Sequence, residues 1–363
     1  MEMAGDGGRR TARNERGNEF LERILIRTTN RRGEGAATET EKKSSSKGII
    51  FGMENIMLPF KKIVCPIDFS DMSYEALQSA ERLARHDEAE LLLVHIITFP
   101  APNDKGFTTE AEAFAFAREA AEEKLQHIIA TRLNHLKTTR IIIRSGSPAG
   151  HFIIDLAREE GADLIVIGTH GLTGWRRLVL GSVTEEVMRL AQCPILTVRS
   201  CRSESATDQP YQKILSPIDF SAPSLVALGK AGELAAGWDA ALSVLHVMEP
   251  MAPAVPVVGL AEKRETEAAQ KLSMVIEKHL PEPLWEAAES RRLLRSGRPG
   301  EEIVRVAEDD AFDLIVIATQ GRTGWRHLFF GSVAGEVVRI APCPVLVVGP
   351  AQTTRTAAEP AAA

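Results

Sequence analysis

Two stretches of the chain bring glycine, serine and the start of a helix together in a way that suits an anion. Gly168-Thr169-His170-Gly171 is followed, nine residues on, by Gly181-Ser182. Ala318-Thr319-Gln320-Gly321 is followed, after the same nine residues, by Gly331-Ser332. Glycines at both ends of a loop let backbone N–H groups approach an anion closely. The second end also opens a helix, where free N–H groups and the positive end of the dipole favour phosphate. Ser182 and Ser332 can cap that helix or bond a phosphate oxygen. Turn glycines followed by plain N-caps are the competing explanation, and the recurrence of the whole spacing weighs against it.

A carboxylate recurs as well. Pro66-Ile67-Asp68-Phe69-Ser70 returns as Pro217-Ile218-Asp219-Phe220-Ser221. Asp68 or Asp219, just past a strand, can accept from ribose hydroxyls or hold a Mg²⁺ ion. Either can equally cap the following helix, with Ser70 or Ser221 as the rival cap. His95 and His246 end the second strand of each half and read as ring-bonded structural histidines, since no nucleophile repeats beside them. Trp175 and Trp325 read as covers for their own loops, and Arg176, Arg177 and Arg326 as solvated side chains. The chain has neither G-x-x-x-x-G-K-[ST] nor H-E-x-x-H. No carboxylate lies in the glycine loops to act as a base. At most, slow Mg-dependent hydrolysis is expected.

The elements that must position these residues come in two sets. From Gly168 to Val198, 18 of 31 residues are identical in the stretch from Ala318 to Val348. A period near 150 residues is a duplicated domain, not a solenoid array. Short apolar runs predict five strands per repeat: 63–67, 91–97, 140–143, 164–168 and 195–198, then 214–218, 242–247, 292–294, 314–318 and 345–348. Between them, Leu77, Ala80 and Ala84 recur at helical spacing, as do Leu125, Ile128 and Leu133, and Val183, Val187 and Leu190. Strand–helix alternation predicts an α/β fold with two tandem, doubly wound, five-stranded parallel-sheet domains. Ligands of such sheets bind beyond the carboxyl ends of the strands, at the switch in strand order, where the glycines and aspartates fall.

The expected domains are 59–199 and 212–349, joined by a linker at 200–211. Residues 1–58 and 350–363 read as disordered ends. Met53 and Met57 stand just before the first repeat, so translation starting at one of them is an expectation that intact mass would test. The length of 363 residues suits two domains, and 44% hydrophobic with 25% charged residues suits a folded globular chain. The net charge of -6 disfavours general nucleic-acid binding. No apolar run suffices for a membrane span. Cys65, Cys193, Cys201 and Cys343 show no CxxC spacing, which fits a reducing cytoplasm better than a zinc or disulfide framework.

These motifs resemble the universal stress protein family in its tandem form. The carriers are Pro-x-Asp-x-Ser after the first strand, the Val94-His95-Ile96 and Leu245-His246-Val247 strand ends, the G-x-x-G-x9-G-S loop, and Cys193-Pro194-Ile195-Leu196 with Cys343-Pro344-Val345-Leu346. The resemblance implies a Rossmann-like fold of the adenine nucleotide alpha hydrolase type, and pairing of the domains through their last strands as an internal pseudo-dimer. Pairing of two chains as a homodimer is a further expectation. It also implies binding of ATP, ADP or AMP, with Mg²⁺ at Asp68 and Asp219, by a regulatory protein that answers to a protein partner. Carried over, the nucleotide residues of the first repeat are Pro66, Ile67, Asp68, Ile96, Gly168, Gly171, Gly181, Ser182 and Val183. Those of the second are Ile218, Asp219, Val247, Gly321, Gly331, Ser332 and Val333. Ala318, Gln320 and Ala334 depart from the first repeat's Gly168, His170 and Thr184. Ala318 is costly only if the position needs a positive φ. A nucleotide-independent scaffold is the third reading.

Overall fold

The computed structural model describes residues 60–98, 109–169, 180–199, 209–250, 259–282, 284–289, 291–319 and 331–349. All lie in the compact unit that runs from Ile56 to Ala363. The expected N-terminal extension, nearly all of the linker and the C-terminal tail fall outside the described residues. So do His170, Gly171, Trp175, Arg176, Arg177, Cys201, Gln320, Gly321, Trp325 and Arg326.

In the first repeat the order is β1 (Lys62–Pro66), α1 (Asp71–Asp87), β2 (Glu90–Ile97), α2 (Glu110–Ile128), β3 (Thr139–Ser145), α3 (Ala149–Glu159), β4 (Leu164–Gly168), α4 (Ser182–Leu190) and β5 (Ile195–Val198). The second repeat has β6 (Lys213–Pro217), α5 (Ala222–Trp238), β7 (Ala241–Met248), α6 (Leu260–His279), α7 (Leu284–Glu289), β8 (Arg292–Ser296), α8 (Pro299–Asp309), β9 (Leu314–Ala318), α9 (Ser332–Ile340) and β10 (Val345–Val348). The short α7 has no counterpart in the first repeat. No described helix is long and apolar enough to cross a membrane.

The strands form one sheet in the order β3-β2-β1-β4-β5-β10-β9-β6-β7-β8. Every pairing within a repeat is parallel, and β5 meets β10 antiparallel, with Leu196 opposite Leu346. Two five-stranded sheets are thus continuous across a pseudo-two-fold at their last strands. In each repeat the order reverses between the first strand and the fourth, β1/β4 and β6/β9. The crevice expected of a doubly wound sheet opens there.

Burial explains the continuous apolar runs. Residues 63–65 and 164–167 are covered on both faces. One face carries α1, α2, α5 and α6, which contribute Leu77, Leu83, Leu125, Leu228, Leu234 and Leu272 to a single core spanning both repeats. The other face carries α3, α4, α8 and α9, with Ile153, Val187, Ile303 and Val337. The helical spacings place Leu77, Ala80, Ala84, Leu125, Ile128 and Leu133 inside. Leu190 is the exception and is exposed; α4 instead buries Thr184, Val187 and Met188. The helix ends one residue later, at Ala191.

Candidate functional site

The site residues of the first repeat collect at the carboxyl ends of β1, β2 and β4. Pro66 ends β1, and Ile67 continues the ladder by donating its N–H to the Val94 carbonyl at 2.8 Å. The Ile67 side chain is buried in the core on the α1/α2 face, so this residue reaches the crevice through its backbone alone. Ile218 does the same in the second repeat. Ile96 and Val183 differ: both are half-buried and pack on the opposite face, where α4 begins. Val247 and Val333 repeat that placement.

Asp68 settles the competition for the cap. Its Oδ1 accepts from the Ser70 N–H at 3.0 Å and from the Ser70 hydroxyl at 2.5 Å. Ser70 is the N-cap of α1, its Oγ accepting from the Ser73 N–H at 3.2 Å. The serine caps and the aspartate orients it. Asp219, Ser221 and Ser224 reproduce the arrangement, with 3.0 and 2.5 Å to Oδ1 and 3.4 Å at the cap. Among the described residues no group of three or more His, Cys, Asp or Glu gathers as a metal site. A divalent ion here would have one protein carboxylate and would need ligand oxygens besides.

The glycine loops begin and end in defined backbone. Gly168 ends β4 without a positive φ. Its role is close approach: a Cβ there would come within 2.7 Å of the Met72 carbonyl in the first turn of α1. In the second repeat α5 has Pro223 at that turn, and Ala318 is accommodated, buried, as the last residue of β9. Position 318 is strand, so alanine carries no left-handed penalty.

At the far end, Gly181 donates its N–H to the Thr169 carbonyl at 2.8 Å, which closes the loop's two ends on each other. Gly331 and Thr319 do so at the same distance. Gly181 and Gly331 are themselves the N-caps of α4 and α9, and no side chain caps either helix. Ser182 and Ser332 are exposed first-turn residues, which corrects their reading as caps. The first helical bond runs from the Glu185 N–H to the Gly181 carbonyl. The N–H groups of Ser182, Val183 and Thr184 precede it and have no acceptor within the helix. The same holds for Ser332, Val333 and Ala334 before the Gly335–Gly331 bond. Thr184 uses its hydroxyl to hold the Gly168 carbonyl at 2.7 Å. Ala334 cannot, so that hydroxyl serves loop structure rather than a ligand.

Sequence reasoning did not foresee the turn between strand and helix. Phe69 and Phe220 both adopt φ of 64°, a conformation rare for bulky residues. Their rings lie on His95 and His246 at 4.8 and 4.3 Å between centroids. The recurrence of Asp-Phe-Ser before each helix was the available signal. Two of the described thiols are held protonated: burial pushes Cys193 up to about 11 and Cys65 higher still. A cavity of about 260 Å³ lies elsewhere, among Met248, Arg264, Leu294 and Arg295 on the edge of the second repeat. It includes none of the residues above.

Comparison with known proteins agrees with this geometry. The model of the universal stress protein family matches residues 59–199 and again 210–349. Universal stress protein YxiE of Bacillus subtilis is 32% identical over 148 residues, which is 39% of this chain and 99% of that protein. A universal stress protein of Mycolicibacterium smegmatis is 27% identical over 295 residues, 79% of this chain and 97% of the relative. The crystal structure of a universal stress protein from Archaeoglobus fulgidus superposes with a TM-score of 0.59 at 19% identity, covering 79% of this chain and 98% of that one. With its two matched domains in tandem, the chain belongs to the universal stress protein family.

Proposed function

We propose that the chain is an adenine-nucleotide-binding regulatory protein of the stress response, with one site in each repeat. One observation carries this reading: α4 and α9 start at the switch crevices on glycine, with no side-chain cap and with an exposed serine in the first turn. The helices α1, α2 and α5 are capped by a serine or threonine side chain, whereas α3, α6 and α8 also start without one, so the place of α4 and α9 beside the switch in strand order is what distinguishes them. A phosphate would take the place of the missing cap. Asp68 and Asp219 face the ribose, Ile67 and Ile96 with Ile218 and Val247 border the adenine, and the first turns at Val183 and Val333 meet the phosphates. Gly171 and Gly321 belong to the phosphate loop by their spacing. Mg²⁺ enters with the phosphates.

The protein would act by changing shape or partner affinity, through the nucleotide's different affinity for two states. A cytoplasmic location fits an intracellular nucleotide. Hydrolysis, if measured, would be slow, since the sequence of the glycine loops contains no carboxylate to act as a base.

Equilibrium dialysis against labelled ATP tests the assignment. Gly181→Asp should remove one of two sites and Gly331→Asp the other, because each puts a carboxylate where phosphate would sit. Unchanged binding in both variants contradicts the phosphate assignment. Binding of a cellular protein that ignores added ATP would favour the scaffold.

A further inference from the structure

We propose that His95 and His246 are positioning residues of the two sites: each holds, through Nδ1–H, the peptide that aims the neighbouring aspartate. The inference rests on the nucleotide reading above. In the first repeat the His95 Nδ1 lies 2.7 Å from the Ile67 carbonyl. A carbonyl only accepts, so Nδ1 carries the proton. The Ile67 N–H is already tied to Val94. The residue before Asp68 is therefore fixed on both sides, by backbone and by imidazole.

The residue after Asp68 is fixed by the same ring. Phe69 sits in the left-handed region, and its ring lies tilted on the imidazole with Lys124 Nζ 5.0 Å above it. A bulky residue at positive φ is strained and persists only where its surroundings over-determine it. The His95–Phe69–Lys124 stack is that surrounding. Ile67 and Phe69 thus both rest on one imidazole, and the carboxylate of Asp68 between them accepts from Ser70 at the α1 cap.

The second repeat builds this again with 28 residues between partners, as in the first. His246 Nδ1 lies 2.9 Å from the Ile218 carbonyl, the Ile218 N–H bonds Leu245, and Lys271 stands 4.3 Å over Phe220. The two copies share the histidine, phenylalanine and lysine while other residues of the repeats have diverged. A histidine that only filled space would not need the same nitrogen on the same carbonyl twice.

The test uses side-chain geometry. Asparagine can place an amide nitrogen near the Nδ1 position, whereas glutamine carries it one bond further and leucine has none. Mg-ATP is titrated into the parent, His95→Leu, His95→Gln and His95→Asn, with the second site of each chain as the internal control for folding. His95→Leu and His95→Gln should weaken one of the two sites about tenfold, the order expected for one lost hydrogen bond. His95→Asn should restore most of it. The His246 series should do the same to the other site. In parallel, imidazole ¹⁵N resonances of ligand-free protein should show both rings protonated at Nδ1. A parent that binds two nucleotides while His95→Leu is unchanged, or while leucine and asparagine weaken binding equally, overturns this proposal alone. So does an Nε2-protonated neutral ring. A parent that binds no nucleotide overturns the nucleotide reading and the positioning role with it.

Discussion

Single positions of the two repeats have solved one geometric problem differently, and each difference is a measurable energy. At the end of the fourth strand, Gly168 faces the Met72 carbonyl at a distance no Cβ tolerates, while its counterpart Ala318 is comfortable. Gly168→Ala should destabilise the chain by about 1–3 kcal/mol through overpacking. Ala318→Gly should cost less, about 0.5–1 kcal/mol, from chain entropy. Urea midpoints of the two variants check the asymmetry. Before the fourth strand the balance reverses. Gly161 has φ of 64°, and its counterpart Ala311 is held at 52°. Left-handed backbone costs a residue with a Cβ about 1–2 kcal/mol. Ala311→Gly should therefore raise the thermal midpoint, and a lower midpoint would contradict the backbone argument.

At the scale of elements, the sequence was most legible where burial is complete. The runs predicted for β4, β5, β9 and β10 match the strands residue for residue, because every residue in them is buried and all but Thr197 are apolar. The edge strands run longer than their apolar runs: β3 continues past the exposed Arg144 to Ser145, and β8 past the half-buried Arg295 to Ser296, polar residues at which a pattern of apolar residues stops. The helix starts were legible as positions but not as caps. Serine after glycine reads as a cap by type, yet the loop closes through Gly181 and Thr169 and pushes Ser182 into the first turn. The histidine contact was hidden for another reason: its partner lies 28 residues away and is a backbone atom.

The strands are tied to the loops before them by a second repeated carboxylate. Asp163 accepts from the Lys61 and Lys62 N–H groups, and Asp313 from those of Gln212 and Lys213. Burial outweighs these bonds and holds both carboxyls above their ordinary range. A carboxyl raised in the folded state favours folding most when protonated. That contribution is full below the unfolded-state value and is lost as pH rises through the folded-state value. The stability advantage of the parent over Asp163→Asn/Asp313→Asn should thus shrink as pH rises from acid toward neutrality. A growing advantage would contradict the assignment.

For the molecule as a whole, the repeats are joined by more than the β5–β10 ladder. Trp238 ends α5 and donates its indole N–H, at 3.2 Å, to the buried Asp87 at the end of α1. His86 holds the same carboxylate oxygen at 2.7 Å. The indole lies between Phe60 and Tyr211, the aromatics that precede the first strand of each repeat. Cations cross over as well: Arg82 of the first repeat covers Tyr211, and Lys230 of the second covers Phe60. The shared core predicts one cooperative unfolding transition, coincident by fluorescence and circular dichroism. Trp238→Phe leaves Asp87 buried with one donor fewer and should cost about 1–3 kcal/mol. Two separate transitions in the parent would show that the repeats fold alone.

The pseudo-two-fold also places two equivalent crevices in one chain, and the account stands on both binding nucleotide. Calorimetric titration of nucleotide-free protein with Mg-ATP reads this directly. Two sites per chain are predicted, with Ala318 harmless to the second. An absence of heat at several temperatures, with equilibrium dialysis likewise negative, would contradict it.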